Sequence, residues 1–364
     1  MTEQQFISKI HKLNGKVYLV GGYVRDLYMN QPANDKDYVI CHIDENNFKK
    51  EFPKANKVGN SFPVYLLNID GQDCEIAFAR KDRKQGTGYK GFTTISTKDI
   101  SIKDDLYRRD LTVNALALEL PDRILIDPFN GLSDIKNHNI KHVSNHFKED
   151  PVRSLRAARF ASIWNFDIDK STIELMKECK DDLIKEPTER LLKELIKVLT
   201  KSSKPSIFFK SLQKANLLDI TFPEFTWENI NLLDQIHTDK LIVKFLILTL
   251  NSKLTNRIVY PADWIKAKHF IEYYLKKNLT DSELIKAIFT IQQLKINYRD
   301  WQLIYYAKFN KPLKILSYID SLMPILQSVK GESAPNNLKN IEIGKWILNE
   351  RIKLLSEFII KKVF

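Results

Sequence analysis

Cysteine, glycine and long apolar runs are all scarce in this chain of 364 residues. The three cysteines, Cys41, Cys74 and Cys179, are far apart and form no C-x-x-C pair, so neither a disulfide framework nor a zinc ribbon is supported. With 11 Gly and 13 Pro, the composition excludes a collagen-like or linker-dominated chain. Because no stretch approaches the ~18 unbroken apolar residues of a membrane-spanning helix, we expect no membrane partner and a reducing, cytoplasmic location.

Acidic residues are too few to balance the basic ones. The chain has 57 Lys and Arg against 45 Asp and Glu, a formal charge of +12. A folded protein with this excess favours a polyanionic partner, nucleic acid first, although a basic surface kept for solubility would give the same charge. Hydrophobic residues make up 43%, which argues against wholesale disorder, and the length predicts two to four domains or subdomains.

The hydrophobic pattern changes near residue 148. Before it, short apolar runs alternate with turn residues, which predicts a sheet with only two short helices, near Glu45–Glu51 and after Asp104. After it, apolar positions recur at threes and fours, which predicts helices throughout. The predicted strands are Val17–Val20, Asp37–Ile40, Val64–Leu67, Glu75–Ala79, Ala115–Glu119 and Arg123–Ile126. The predicted helices are Asp150–Ile163, Thr188–Leu199, Pro205–Ala215, Lys240–Leu250, Ala262–Leu275, Asp281–Leu294 and Ile341–Ile360. The fold class is therefore α+β.

A glycine pair follows the first predicted strand. Gly21 and Gly22 let backbone N–H groups approach an anion, and Arg25 can grip a phosphate, although a tight turn explains the pair equally well. Asp35 and Asp37 lie two apart, so both face one side of a strand. Paired carboxylates repel each other unless a cation such as Mg²⁺ lies between them, and the alternative is a solvated strand end.

Two later segments combine polar side chains with turns. Arg108 and Arg109 could hold a ribose hydroxyl and a phosphate, with Asp110 orienting an arginine, and a capped surface helix is the alternative. Residues 130–134 read most simply as a turn that leads into a short helix.

Arginines recur at every third position of the helix that is predicted to begin near Asp150. Arg153, Arg156 and Arg159 spread over one broad side of that helix. Three arginines without matching acids would repel each other if buried, so we expect an anionic ligand or solvent beside them. Asp150 accepts hydrogen bonds and Arg153 donates them, so the two together can meet the polar edge of a base.

These five segments, in this order and spacing, resemble the class II tRNA nucleotidyltransferases, the CCA-adding enzymes of the polymerase β-type superfamily. In that family GGxVRD and DxD form the catalytic unit, RRD engages the ribose, (D/N)GxxD acts as a hinge, and EDxxR is a protein template for CTP or ATP. Residues 79–94 resemble the family's flexible loop, and Glu189 and Arg190 its supporting helix. The close resemblance covers about residues 16–215.

The resemblance implies a polymerase β-type nucleotidyltransferase head with a mixed sheet, followed by an all-helical neck, body and tail. The boundaries it implies are 1–145 for the head, 146–215 for the neck with its templating helix, and 216–364 for a tRNA-binding body and tail. The segments around Arg80–Phe92 and Glu149–Phe160 resemble the bacterial subgroup that normally carries a C-terminal HD phosphohydrolase domain. None of the seven histidines is followed by Asp, so we expect no such domain and no phosphatase activity.

The implied activity is addition of CCA to the 3′ end of tRNA. Asp35 and Asp37 would be the catalytic and Mg²⁺-binding residues, so that the 3′-hydroxyl attacks the α-phosphate and pyrophosphate leaves. The implied partners are CTP, ATP and the acceptor and TΨC arms of tRNA, with no obligate protein partner. The nucleotide-binding residues would be Gly22, Arg25, Arg109, Asp110, Asp150, Arg153, Arg156 and Arg159.

Three other readings stay open. An A-adding enzyme or a bacterial poly(A) polymerase shares most of these motifs. A CC-adding enzyme lacks a functional flexible loop, which this sequence has. A non-catalytic tRNA-binding protein built on a dead transferase would have lost Asp35, Asp37 or Arg153, and all three are present.

Overall fold

The chain divides into two compact units. The computed structural model describes residues 1–58, 64–84, 92–95, 97–276 and 278–362. The first unit consists of Met1–Val198 and Ser202–Thr221. The second unit consists of Leu199–Lys201 and the chain from Phe222 onward.

Every strand of the described residues lies in the first unit. The strands are β1 Lys16–Val20, β2 Asp37–Cys41, β3 Asn56–Val58, β4 Val64–Ile69, β5 Gln72–Phe78, β6 Lys81–Lys84, β7 Phe92–Ile95, β8 Ala117–Leu120, β9 Ile124–Ile126, β10 Asn139–Ile140 and β11 Asp167–Ile168. Seven of them form one mixed sheet in the order β3-β4-β5-β2-β1-β8-β9, in which only β2 and β5 are parallel. The pairs β6–β7 and β10–β11 form separate two-stranded sheets.

The centre of the mixed sheet is buried on both faces. In β1, Val17 and Leu19 pack into one apolar cluster, and Tyr18 and Val20 into another on the opposite face. The alternation follows the two-residue period of a strand. Helices cover both faces, so the ends of β1 and β2 have fixed positions from which a site can be built.

Eleven α-helices contribute to the described part of the first unit. They are α1 Glu3–Lys12, α2 Gly22–Tyr28, α3 Glu45–Glu51, α4 Ile102–Tyr107, α5 Gly131–Lys136, α6 Val152–Trp164, α7 Lys170–Glu178, α8 Lys180–Ile184, α9 Thr188–Lys201, α10 Ser206–Lys214 and α11 Leu218–Thr221, where the last three residues of α9 belong to the second unit. The α4 helix begins at a capping box in which Ser101 and Asp104 satisfy each other's backbone N–H groups. This fixed start places the residues that follow α4.

The second unit is helical throughout its described part. Its helices are α12 Trp227–Leu233, α13 Leu241–Leu248, α14 Ala262–Tyr274, α15 Asp281–Ile291, α16 Tyr298–Phe309, α17 Ile319–Ser328 and α18 Ile341–Lys362. Among the residues that the structure describes, no helix is long and apolar enough to cross a membrane.

The predicted change from sheet to helices is confirmed, and the element bounds shift by a few residues. Helix α1 was not predicted from the sequence, although Thr2 and Gln5 form a capping box at its start. The prediction of only two short helices before residue 148 was wrong, since α1 and α2 also lie there. The helices α7, α8, α11, α12, α16 and α17 were not predicted, nor were the strands β3, β6, β7, β10 and β11. Much of the predicted flexible loop, including residues 85–91, lies outside the described residues. The domain boundary predicted at residue 145 falls inside the first compact unit.

Candidate active site

One large cavity in the first unit gathers most of the predicted residues. Its volume is about 760 Å³, within the usual range for a small-molecule site. It is lined by Gly21, Gly22, Arg25, Asp37, Arg80, Arg108, Arg109, Asp110, Asn114, Glu149, Asp150, Val152, Arg153, Arg156, Phe160, Arg190, Lys193, Glu194 and Lys197. Nine of these side chains are Arg or Lys and five are Asp or Glu, so the lining favours an anionic ligand.

The glycine turn after β1 forms one wall. Gly21 has a φ of 67°, a conformation that side chains disfavour, and an added Cβ would lie 2.8 Å from Nη1 of Arg109. Backbone conformation and the approach of an arginine therefore both require glycine here. The turn brings α2 and the segment after α4 to the same wall.

Arg25 is held from several sides. Its Nη1 donates to Asn114 Oδ1 at 2.6 Å and its Nε to Asp26 Oδ1 at 2.8 Å. The guanidinium also lies 4.7 Å from the ring centroid of Trp164, which stacks on Phe160. Cation–π contact with an aromatic pair restricts a long side chain, so Arg25 has a set position in the cavity.

The two predicted metal carboxylates do not have the same surroundings. Asp37 lines the large cavity, and together with Asp35 and Glu75 it also lines a neighbouring groove at the sheet edge. Asp37 and Glu75 are paired in register between β2 and β5. Burial, followed by the charge of Glu75, raises the pKa of Asp37 to about 6, against a smaller opposing effect of Arg109. Glu75 was not singled out from the sequence, because only the β2–β5 pairing brings it there.

Asp110 has the orienting position that the sequence suggested. Its Oδ2 accepts from Arg156 Nε at 2.8 Å and Nη2 at 2.6 Å, and its Oδ1 accepts from Asn114 and from the backbone of Leu111. Burial alone would raise the pKa of Asp110, but Arg156 and Arg153 hold it well below its ordinary value. The arginine is thus fixed by a charged acceptor.

The arginine row of α6 is divided between the cavity and the core. Arg153 and Arg156 line the cavity, whereas Arg159 is 6% exposed, is not among the lining residues, and donates to Glu194 at 2.5 Å. The expectation of arginines without matching acids was wrong for Arg156 and Arg159. Asp110 and Glu194 supply the acids, from 46 and 35 residues away along the chain.

The two predicted base-reading residues are held in place by the protein. Both oxygens of Asp150 accept from Arg190 Nη2, at 2.9 and 2.8 Å, and Oδ1 also caps the N–H of Val152. Arg153 donates to the backbone carbonyls of His146 and Arg108, at 2.9 Å each. The supporting role predicted for Arg190 therefore includes direct contact with Asp150.

The predicted turn at 130–134 lies outside the lining of the cavity. Asn130 has a left-handed backbone, and α5 follows it as predicted. Gly131 packs so closely on Thr112 that a Cβ would lie 2.3 Å from the Thr112 carbonyl oxygen. Asp134 accepts from the Thr112 hydroxyl at 2.6 Å. These contacts brace the segment that follows Asp110.

Several lining residues were missed by sequence reasoning. Lys193 and Lys197 lie four apart on α9, a spacing that places both on one helical face and could have revealed them. Arg80, Asn114 and Phe160 gave no comparable signal, because only tertiary contacts bring them to the cavity.

Comparison with known proteins agrees with this architecture. The family model described as the Poly A polymerase head domain matches residues 17–141. The model described as the probable RNA and SrmB-binding site of polymerase A matches residues 165–228. With the mixed sheet and the helices after it, the first match defines the class: a polymerase β-type nucleotidyltransferase head followed by a helical region.

Curated relatives identify the family within this class. A CCA-adding enzyme of Buchnera aphidicola subsp. Schizaphis graminum is 34% identical over 363 residues, 94% of this chain and 82% of that protein. A CCA-adding enzyme of Coxiella burnetii is 41% identical over 251 residues, 67% of this chain and 65% of that protein. The chain therefore belongs to the CCA-adding enzyme family. The match to the Coxiella protein spans just under two thirds of that protein's length.

Solved structures share the fold across nearly the whole chain. A CCA-adding enzyme described as apo form II aligns with a TM-score of 0.73 at 20% identity, covering 98% of this chain and 94% of the other. Solved CCA-adding enzymes with ATP and with CTP, each at 22% identity, have the same fold. At this identity the likeness concerns the fold alone.

Proposed function

We propose that this protein adds the sequence CCA to the 3′ end of tRNA, using CTP and ATP, releasing pyrophosphate and needing no nucleic-acid template. The observation that carries the proposal is the shared cavity of Asp37 and the α6 arginines Arg153 and Arg156. A carboxylate that can hold a metal ion therefore faces cations that can hold a triphosphate.

A nucleoside triphosphate suits the charge of this cavity. Arg109 and Arg156 are each fixed by a carboxylate, Asp105 and Asp110 respectively, and guanidinium groups fixed in this way bind phosphate with little further loss of side-chain entropy. In this role Arg25, Arg109 and Arg156 bind the phosphates, whereas Arg159 contributes by packing, because its charge is directed at Glu194.

A divalent cation, Mg²⁺ in our proposal, fits the groove that Asp35, Asp37 and Glu75 line at the edge of the sheet. Asp35 and Asp37 offer oxygen atoms only, the type of ligand that Mg²⁺ prefers. The raised pKa of Asp37 reflects burial and repulsion from Glu75 and Asp35, which a cation would relieve. Among the described residues, no group of three or more His, Cys, Asp or Glu could hold a metal. Two carboxylates that share a cation with substrate phosphates match this arrangement. When bound, the cation supplies positive charge at the attacking hydroxyl and at the α-phosphate.

Base selection is assigned to Asp150 and Arg153. A carboxylate accepts from an exocyclic amino group and a guanidinium donates to a ring nitrogen or a carbonyl, so the pair can match one edge of C or A. Arg190 and the carbonyl of Arg108 orient the two side chains before a nucleotide arrives. Choice of base by protein hydrogen bonds would make a nucleic-acid template unnecessary.

The helical part of the chain is assigned to tRNA binding, with the acceptor and TΨC arms as its targets. The support is the match of residues 165–228 to an RNA-binding family model and the net charge of +12. We also propose a cytoplasmic location, since Cys41, Cys74 and Cys179 are free buried thiols, which are typical of a reducing compartment.

Poly(A) synthesis is the second candidate, because the family model that matches the head is described as that of a poly(A) polymerase. Product length separates the two activities. A tRNA lacking its last three nucleotides is incubated with Mg²⁺ and CTP, ATP or both. We expect two added nucleotides with CTP alone, three with both, and then arrest. A lengthening A tail would instead establish poly(A) synthesis.

Separate variants test the metal-binding and base-selecting residues. Asp35→Asn and Asp37→Asn should each abolish transfer and leave tRNA binding intact, while Asp73→Asn, an acid in the same groove, serves as the matched control. Transfer retained by both variants would refute the metal assignment. Arg153→Ala should reduce the preference for C over A, and unchanged fidelity would refute the assignment of base selection.

A further inference from the structure

A carboxylate that the sequence analysis did not single out lies directly behind the arginines of the cavity wall. Asp105, in α4, is 0% exposed and does not line the cavity. Its Oδ1 accepts from Arg108 Nε at 3.0 Å and Nη2 at 2.6 Å. Its Oδ2 accepts from Arg109 Nη2 at 3.1 Å and Nε at 3.4 Å. One buried acid therefore holds two adjacent arginines, each through one oxygen.

The electrostatics of this cluster favour a permanently charged Asp105. Burial alone would raise the pKa of Asp105, but Arg108 and Arg109 together hold it below its ordinary value. A carboxylate has about four acceptor positions, and the two guanidinium groups approach both of its oxygens. A buried carboxylate this well paired can act as a fixed anchor for the side chains that it binds.

The anchored side chains reach the cavity at defined points. Arg109 Nη1 donates to the carbonyl of Asn114 at 3.3 Å and approaches the glycine turn, where it would contact a Cβ on Gly21. The carbonyl of Arg108 accepts from Arg153. Both arginine side chains are largely buried, 16% and 18% exposed, so only part of each guanidinium faces the cavity. Their orientation therefore decides which N–H groups an anion can meet.

We propose that Asp105 is a positioning residue that holds Arg108 and Arg109 so that their guanidinium groups face the phosphate groups of the incoming nucleotide. The inference rests on the proposed function, in which this cavity binds CTP and ATP. The phosphates are the part that CTP and ATP share, so the effect of Asp105 is the same for both nucleotides. The choice of base is left to other residues.

The primary test is Asp105→Asn, which keeps the size of the side chain and removes its charge. Binding of inorganic pyrophosphate is measured by calorimetry without tRNA, and KM and kcat are measured for CTP and ATP. We expect weaker pyrophosphate binding by about tenfold, the scale of one charge-assisted hydrogen bond. KM should rise by a similar factor for both nucleotides, and kcat should change much less.

Glu224→Gln is the matched control for loss of a buried acid. Glu224 is 5% exposed, lies in the second unit, and accepts from the hydroxyl groups of Tyr260 and Thr255. We expect it to lose stability without a change in pyrophosphate affinity. Pyrophosphate affinity that falls no more in Asp105→Asn than in this control would overturn the proposal, and so would a KM that rises for only one of the two nucleotides.

A double-mutant cycle tests whether Asp105 acts through Arg109. If it does, Asp105→Asn costs less pyrophosphate affinity in the Arg109→Gln background than in the wild type, and the remaining loss is the part that acts through Arg108. Fully additive losses would contradict the proposal. If Asp105→Asn alone does not fold, the double variant Asp105→Asn/Arg108→Gln replaces it, because Arg108→Gln also removes one of the two positive charges beside Asp105. The pyrophosphate affinity of the double variant is then compared with that of Arg108→Gln alone. An equal pyrophosphate affinity in that pair would also overturn the proposal.

The wild-type protein separates the two hypotheses. If it extends tRNA while Asp105→Asn binds pyrophosphate normally, the proposed function stands and the role of Asp105 falls. If the wild-type protein binds neither pyrophosphate nor nucleotide, both hypotheses fail.

Discussion

Replacing the carboxylate of Asp37 by an amide should make the protein more stable. In the folded chain the pKa of Asp37 is raised from 3.8 to about 6, chiefly by burial and by Glu75. The charged form is thus less favourable in the folded state than in the unfolded chain. Because we propose that this residue holds a cation, this cost is the expected signature of a group kept for function rather than stability.

The pKa shift sets the size of the effect. A shift of about 2 units corresponds to about 3 kcal/mol, and about 1–2 kcal/mol remains after allowance for partial exposure. Between pH 4 and 6 the folded state binds the proton more tightly than the unfolded chain, so wild-type stability falls as pH rises through that interval. Asp37→Asn removes the penalty, which is complete above about pH 7.

Thermal unfolding with a chelator present measures this difference. At pH 8 we expect Asp37→Asn to unfold about 2–8 °C above the wild type, given ~2–4 °C per kcal/mol for a unit of this size. The gain should vanish near pH 4, and adding Mg²⁺ should stabilise the wild type more than the variant. Asp73→Asn, an exposed acid in the same groove, should change little. The reasoning would be refuted if Asp37→Asn were no more stable than the wild type at pH 8. It would also be refuted if the stability gain of Asp37→Asn at pH 4 were as large as the gain at pH 8.

Three further variants probe the elements around the cavity by urea unfolding at pH 7. Asp110→Asn should cost about 2–4 kcal/mol, because it leaves Arg156 without its charged acceptor, and the difference from wild type should shrink as pH falls below about 4, where the unfolded wild-type chain takes up a proton on Asp110 that the folded chain does not. Trp164→Leu should cost about 1–3 kcal/mol through lost packing and the lost contact with Arg25, and a neutral result would contradict the restraint of that arginine. Asp127→Ala should cost about 1–2 kcal/mol, since its carboxylate caps two N–H groups at the start of α5.

Local patterns in the sequence predicted most of the elements. The alternation in β1 and the three-to-four spacing in the second half follow directly from side-chain geometry, so these predictions were confirmed with small shifts of the ends. The helix α1 was missed because its capping box was not recognised. The sheet order, with β2 beside β5, depends on contacts distant in sequence, so local patterns could not give it.

The sequence motifs of the candidate site were predictable, but the ion pairs between residues distant in sequence were not. Glycine turns, acidic pairs and the α6 arginines have local spacings that chemistry can interpret. Arg159 is different, because its partner Glu194 lies 35 residues away and only the packing of α6 near α9 shows that its charge is taken up. Asp105 was missed for a related reason: an acid beside two arginines in sequence looks like an exposed helix pair, and only its burial shows otherwise.

The order of the nucleotides added to tRNA tests the central claim most directly. A tRNA without its last three nucleotides is incubated with the protein, Mg²⁺ and all four nucleoside triphosphates, and the new 3′ ends are sequenced. A base choice made by Asp150 and Arg153 predicts C, C and A in that order, followed by arrest. Ends of mixed composition, or a run of A, would contradict it.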